Sequence, residues 1–179
     1  MSKVITPEFR ASYANVWEPG KTPSGDMKYS VSMIFPKTTD LTEIRKAIKA
    51  CIVEKHGEDE KKWPKGLKNP LRDGDAERDG KEYAGSFFIN AGSKNQPGIV
   101  DQNVKPITER DEFYSGVYAR ASVSFFYFDK AGNRGVGVGL NNLMKTKDGE
   151  RLDGRASAES EFGEFASPAG TEGASDTGF

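Results

Sequence analysis

The sequence predicts a mainly β fold: a small, partly open five-stranded barrel that carries one helix and a long charged loop. Three observations lead there. About five segments alternate apolar and polar residues at strand period, only one segment has helical spacing, and the last two strands form a long hairpin.

The elements follow in order. Phe9, Ala11 and Tyr13 alternate with Arg10, Ser12 and Ala14, a strand running to about Trp17, and the Pro and Gly residues of 18–25 mark a loop. Tyr29, Val31, Met33 and Phe35 alternate against Lys28, Ser30, Ser32 and Ile34 in a second strand, stopped by Pro36. Asp40 as N-cap with Glu43 three residues on has the form of a capping box, and Leu41, Ile44, Ile48, Cys51 and Ile52 recur at helical spacing. A helix is therefore expected over residues 41–55, with Cys51 packed in the core.

Residues 56–82 are charged and irregular, a long excursion rather than a second domain. Asp73, Asp75, Glu77 and Asp79 have the spacing of a calcium loop, but Arg78 stands where the loop needs Gly and Ala84 where it needs Glu. A solvated turn is the reading. Phe87 to Ala91 is a third strand. The longest strand, 117–128, puts Val117, Ala119, Ala121, Val123, Phe125 and Tyr127 on one face, and Tyr118, Arg120, Ser122, Ser124, Phe126 and Phe128 on the other. After a hairpin loop at 129–133, the return strand from Arg134 to Lys145 shows a bare face of Gly135, Gly137 and Gly139. Such a face either bends sharply or admits another backbone.

Residues 1–155 form the expected domain and 156–179 an expected disordered tail. The tail takes five of the 27 acids and none of the 26 bases, leaving the body at +4 against −1 for the chain. No run of about 18 apolar residues and no apolar N-terminal region argue against a membrane span or a signal peptide, so a cytoplasmic protein is expected. One Cys and one His cannot build a zinc site, and no metal or cofactor is expected. The serine-hydrolase, zinc-protease and P-loop motifs are missing, and Gly135-x-Gly-x-Gly139 lacks dinucleotide spacing, so the chain does not read as an enzyme.

What remains is aromatic side chains interleaved with cations on strands, the two ingredients that single-stranded nucleic acid requires. Tyr118 and Arg120 share a face with Phe126; Lys28 lies on the second strand, Trp17 and Lys21 flank the first loop, Lys94 follows the third strand, and Arg134 opens the return strand. A rival reading is a non-catalytic β-barrel interaction or virion protein whose outer aromatics contact protein.

The runs Tyr114-Ser-Gly-Val-Tyr-Ala-Arg-Ala-Ser-Val-Ser-Phe-Phe-Tyr-Phe128, Gly139-Leu-Asn-Asn142 and Asp148-Gly-Glu-Arg-Leu-Asp-Gly-Arg155 before an acidic tail resemble a family of bacteriophage single-stranded-DNA-binding proteins. Phe9-Arg-Ala-Ser-Tyr-Ala-Asn15 and Tyr29-Ser-Val-Ser-Met-Ile-Phe-Pro-Lys37 are similar to its opening. The resemblance implies an OB-type barrel, binding without strong sequence preference, and a role in phage DNA replication, recombination or repair inside the infected bacterium. By position it implies Tyr118, Arg120 and Lys145 as DNA contacts. It also implies a tail that docks phage or host replication and recombination proteins through Glu159, Glu161, Glu164, Glu172, Asp176 and Phe179. The same acids, opposite in sign to the body, are expected to compete with DNA. A homo-oligomer is compatible with this reading. One departure stands out: the helix follows the second strand, where an OB barrel has it after the third. Either the first strand is split near Pro7 or the topology is a variant.

Overall fold

The computed structural model describes residues 2–152. The expected tail, with Glu159, Glu161, Glu164, Glu172, Asp176 and Phe179, lies outside the described residues.

Five strands close a ring. β2 (Phe9–Lys21) pairs with β3 (Met27–Pro36), β3 with β5 (Ser86–Ser93), and β5 meets β8 (Asn133–Lys147) in parallel at Gly92 and Gly139. β8 runs antiparallel to β7 (Tyr118–Lys130), and β7 returns to β2 through Ala119 and Phe9. This is the partly open barrel that the alternation predicts. β1 (Ser2–Ile5) lengthens the sheet along β7, β6 (Gly98–Val100) adds to β8, and the two-residue β4 (Arg72–Asp73) pairs with β5.

Inward residues of the ring, among them Phe9, Val31, Met33, Phe35, Ile89, Val123, Phe125, Val138 and Leu140, are buried. α1 (Thr42–His56) packs against β1, β7 and β8 and adds Ile44, Ala47, Ile48, Cys51 and Ile52 to that core. Each large aliphatic side chain buried there contributes about 1.5–3 kcal/mol. Burial pushes the Cys51 thiol up, so it stays protonated and packs as a small apolar group.

Several details differ from the sequence reading. The capping box does not form: Leu41 is the N-cap, and Asp40, one residue earlier, accepts the Thr42 N–H at 3.0 Å as well as the Thr42 hydroxyl. Both explanations of the helix order hold in part. β1 and β2 lie end to end on β7 with a break at 6–8, where Thr6 donates its N–H to the Ala121 carbonyl and accepts the Ala121 N–H on its hydroxyl. The helix nevertheless follows the second strand of the ring, so the connection order is a variant of the OB plan. β2 extends to Lys21 rather than Trp17, and the hairpin turn between β7 and β8 shrinks to Ala131 and Gly132. Both have positive φ (52° and 88°), the geometry of a type I′ turn.

The charged excursion fills the gap that the single Gly92–Gly139 pairing leaves between β5 and β8. Lys68 donates its N–H to the Arg134 carbonyl at 2.9 Å and accepts the Val136 N–H at 3.0 Å, while Arg72 and Asp73 pair with Phe88 and Phe87 of β5. A Cβ on Gly135 would sit 2.5 Å from the Lys68 carbonyl oxygen. Glycine at this position is what admits the second backbone. Three of the four acids with calcium-loop spacing are ion-paired instead. Asp73 and Asp75 both hold the Lys37 ammonium at 2.9 Å, and Glu77 pairs with Arg72. Asp75 also accepts the Gly85 N–H at 2.9 Å, which ties the two ends of residues 75–85 together.

Candidate nucleic-acid interface

Strand alternation turns a second set of side chains outward, in rows that run across the ring. One row is Asn15, Ser30 and Gly92; the next is Ser12, Ser32 and Asn90; the third is Arg10, Ile34 and Phe88, with Tyr118 of β7 opposite Arg10. Beyond the first row Lys28 pairs with Gly20, Lys21 with Met27, and Lys94 lies one residue past β5. The fold therefore brings Lys21, Lys28 and Lys94 to one end of the β2–β3–β5 face, with Lys28 and Lys94 in line with its outward rows and Lys21 one register position on, turned to the opposite side, although Lys21 and Lys94 are 73 positions apart. OB barrels take their ligands on this face and its flanking loops.

Around the ring, the outer face of β7 carries Tyr118, Arg120 and Phe126. The Lys147 ammonium lies 4.6 Å from the centre of the Tyr118 ring and the Arg10 guanidinium 5.9 Å. Arg120 lines a wide cleft of about 670 Å³ with Glu8, Gln102, Met144, Thr146 and Lys147. Phe126 is 37% exposed and lies across Gly137, whose missing Cβ leaves room for the ring.

Three other residues singled out in the sequence are engaged internally. Trp17 is half-buried, packs on the core and donates its indole N–H to the Phe113 carbonyl at 2.9 Å. Arg134 pairs with Asp129 across the hairpin at 3.2 Å. Lys145 has a side chain only 16% exposed and contacts Asp148 at 2.6 Å. That hydrogen bond holds the Asp148 carboxyl below the usual carboxylate range.

Other residues of the face escaped the sequence reading. Tyr13, taken there as an apolar position of the alternation, is 61% exposed. The register slips by one residue between Ser12 and Asn15, and Tyr13 takes φ +46°, so a bulge re-aims its ring outward. No sequence signal marks that bulge. Arg78 comes from the irregular excursion and lies over Phe88 (4.9 Å to the ring centre), Tyr83 (5.5 Å) and Tyr13 (5.8 Å). Tyr83 and Phe88 are buried with Ile34 in a small outer cluster, and the Tyr83 hydroxyl donates to Ser32 at 3.1 Å. Between Tyr13 and Arg78 opens a cavity of about 330 Å³, lined also by Ser30, Val31, Ser32 and Asn90. Arg10 could have been found by extending the outward alternation of its strand, whereas Lys147 lies beyond two register slips of β8 that no alternation marks.

Among the described residues no three His, Cys, Asp or Glu side chains converge to hold a metal ion, and no helix is long and apolar enough to cross a membrane. The arrangement can stack planar groups and neutralise anions along a sheet face.

Comparison with known proteins points the same way. Residues 2–172 match the family described as the Enterobacter phage Enc34 ssDNA-binding protein. The putative protein p50 of Acyrthosiphon pisum secondary endosymbiont phage 1 is 36% identical over 163 residues, covering 85% of this chain and 87% of that protein. Among solved structures, the single-stranded DNA-binding protein from bacteriophage Enc34 in complex with ssDNA superposes with a TM-score of 0.70 at 22% identity, over 84% of this chain and 89% of that one. Gp2.5, a single-stranded DNA binding protein encoded by bacteriophage T7, superposes with a TM-score of 0.63 at 14% identity, over 97% and 99% of the two chains. The solved structures establish the shared fold, and the match over residues 2–172 establishes the kinship: this chain belongs to the family of the phage Enc34 single-stranded-DNA-binding protein.

Proposed function

We propose that the protein binds single-stranded DNA without strong sequence preference and without chemistry of its own, coating exposed strands during phage DNA replication, recombination or repair in the infected cell. The observation that carries this reading is the outer face itself. A body of modest net charge concentrates Lys21, Lys28 and Lys94 at one end of β2–β3–β5 and Arg10, Arg120 and Lys147 around Tyr118. The row through Arg10 extends the face onto β7, because Arg10 pairs with both Ile34 and Tyr118, and the lysines lie at the other end of that face. A strand laid across it meets cations for its phosphates and rings for its bases, each stacked base contributing about 1–3 kcal/mol.

In the same reading residues 1–155 are the binding domain and 156–179 the arm that recruits phage or host replication and recombination proteins through its acids and Phe179. Five acids on a tether compete with phosphates at low salt. Anisotropy of a labelled oligothymidine of ~30 nucleotides tests the proposal. The dissociation constant should rise with salt with a slope of about 0.7 per neutralised phosphate, and a duplex of equal length should bind far more weakly. Equal affinity for duplex, or no salt dependence, rules the reading out.

A further inference from the structure

We infer that the cavity between Tyr13 and Arg78 is a nucleobase subsite. In it one base of the bound strand stacks on the Tyr13 ring with its edge toward Ser30 and Asn90, and the adjoining phosphate meets Arg78. The inference rests on the single-stranded-DNA reading and assigns it a discrete pocket.

Four observations converge. The first is the conformation of Tyr13: an L-residue other than Gly, Asn or Asp seldom adopts φ near +46°, and a ring 61% exposed returns little packing for doing so. Folding stability alone does not account for a tyrosine here. Its ring nevertheless stands exposed on the outer side of the barrel, at the edge of the cavity.

The second is the placement of Arg78. Its guanidinium lies over Phe88, Tyr83 and Tyr13, and among the described residues it makes no ion pair. Buried Tyr83 and Phe88, in edge contact with ring centres 5.2 Å apart, give it a fixed apolar bed. The segment that carries it is held at both ends, by Lys37 on Asp73 and Asp75 and by Asp75 on the Gly85 N–H. A cation held in this way is pre-organised for an anion that arrives later.

The third is the lining. Ser30, Ser32 and Asn90 sit in the floor between the ring and the cation, and Asn90 is exposed, with both a donor and an acceptor to offer a base edge. The fourth is size: about 330 Å³ falls within the roughly 300–1,000 Å³ typical of small-molecule pockets. Lys28 and Lys94, at the end of the same face, supply the positive path by which a strand reaches the pocket.

The full chain is irradiated with oligothymidine carrying 5-iododeoxyuridine at scattered positions, and cross-linked peptides are mapped by mass spectrometry. The same oligonucleotide, unsubstituted, is titrated with Tyr13→Asn, Tyr13→Phe and Arg78→Met. The subsite requires a cross-link at Tyr13 and an affinity loss of about 5- to 150-fold for Tyr13→Asn, the equivalent of one lost stacking contact. Tyr13→Phe should bind within about threefold of wild type, still within the scatter of one retained stack. Arg78→Met should lower the salt slope by about 0.7, one phosphate. Asn accepts positive φ more readily than Tyr, so the urea midpoint of Tyr13→Asn should be unchanged or higher. A binding loss without a stability loss separates a ligand contact from a structural role. If wild type binds while Tyr13→Asn binds equally well and cross-links map elsewhere, the subsite is overturned and the DNA reading survives. If wild type fails to bind the oligothymidine, the DNA reading itself fails.

Discussion

Replacing Gly135 and Gly139 by alanine, one at a time, separates a glycine that another backbone needs from one that nothing needs. At Gly135 the new Cβ would lie 2.5 Å from the Lys68 carbonyl oxygen and 2.7 Å from its nitrogen, main-chain atoms that cannot swing aside. If the excursion stays in place, the overpacking costs about 1–3 kcal/mol. If it lifts off, the two hydrogen bonds that Lys68 makes to β8 are lost, at about 0.5–1.5 kcal/mol each, so both routes end near the same cost. At Gly139 the nearest atom to a new Cβ is 3.7 Å away, an ordinary contact. Alanine there should be neutral or stabilise by about 0.4–1 kcal/mol, because the unfolded chain loses freedom. The two variants should therefore differ by about 1–4 kcal/mol in urea unfolding, with Gly135→Ala the weaker. Midpoints that agree within about 0.5 kcal/mol, the scatter of an inconsequential surface change, would refute the close-approach argument.

Gly137→Ala should fall between them, since its Cβ meets only the far end of the Phe126 ring at 2.6 Å and the ring can turn outward; urea unfolding orders the three. Lys28→Gln and Lys94→Gln should each lower the salt slope of DNA binding by about 0.7, whereas Lys145→Gln, whose ammonium is held by Asp148, should leave that slope unchanged in the same titrations. Asp75 is held below the usual carboxylate range first by the Gly85 N–H and then by Lys37, so its stabilising effect is complete above 3.8, its ordinary value, and disappears as pH falls through the folded value. Urea midpoints of wild type and Asp75→Asn should accordingly stay apart by a constant amount near neutral pH and converge in acid. Trp17→Phe removes the bond to the Phe113 carbonyl and should cost about 0.5–1.5 kcal/mol with DNA affinity unchanged, as denaturation and anisotropy together would report.

Where two-residue alternation runs unbroken, the strands were legible. β3, β7 and the first half of β8 lie close to where Tyr29 to Phe35, Val117 to Phe128 and Arg134 to Leu140 place them, because a half-buried sheet imposes that period; past Leu140, β8 slips register against β7. The period fails where the backbone gains a residue. Tyr13 fits the apolar alternation of Phe9 and Ala11, yet one bulge reverses its direction, and Trp17 falls in a second irregular stretch of β2 that turns it toward Phe113. Lys21, Lys28 and Lys94 could be nominated singly as cations beside strands. Their shared end depends on register, which nothing local in the chain declares. Arg78 carries no signal at all, since its position comes from Lys37, Asp73, Asp75 and Gly85 acting on an irregular segment. Short β1 and β6 were missed because three or four residues cannot establish a period.

The junction between β5 and β8 also bears on how the chain folds and how it opens. The long β7–β8 hairpin is built from contacts close in sequence and can form early, whereas the Gly92–Gly139 and Lys68–Gly135 contacts join segments far apart along the chain. Closing that side is expected to follow formation of the hairpin, once the excursion has found its place. Held by one ladder pair and the two Lys68 hydrogen bonds, it should also open more readily than the β7–β8 ladder. Amide exchange at Lys68 and Val136 should then report a partial opening, while amides in the middle of β7 wait for the whole molecule to unfold.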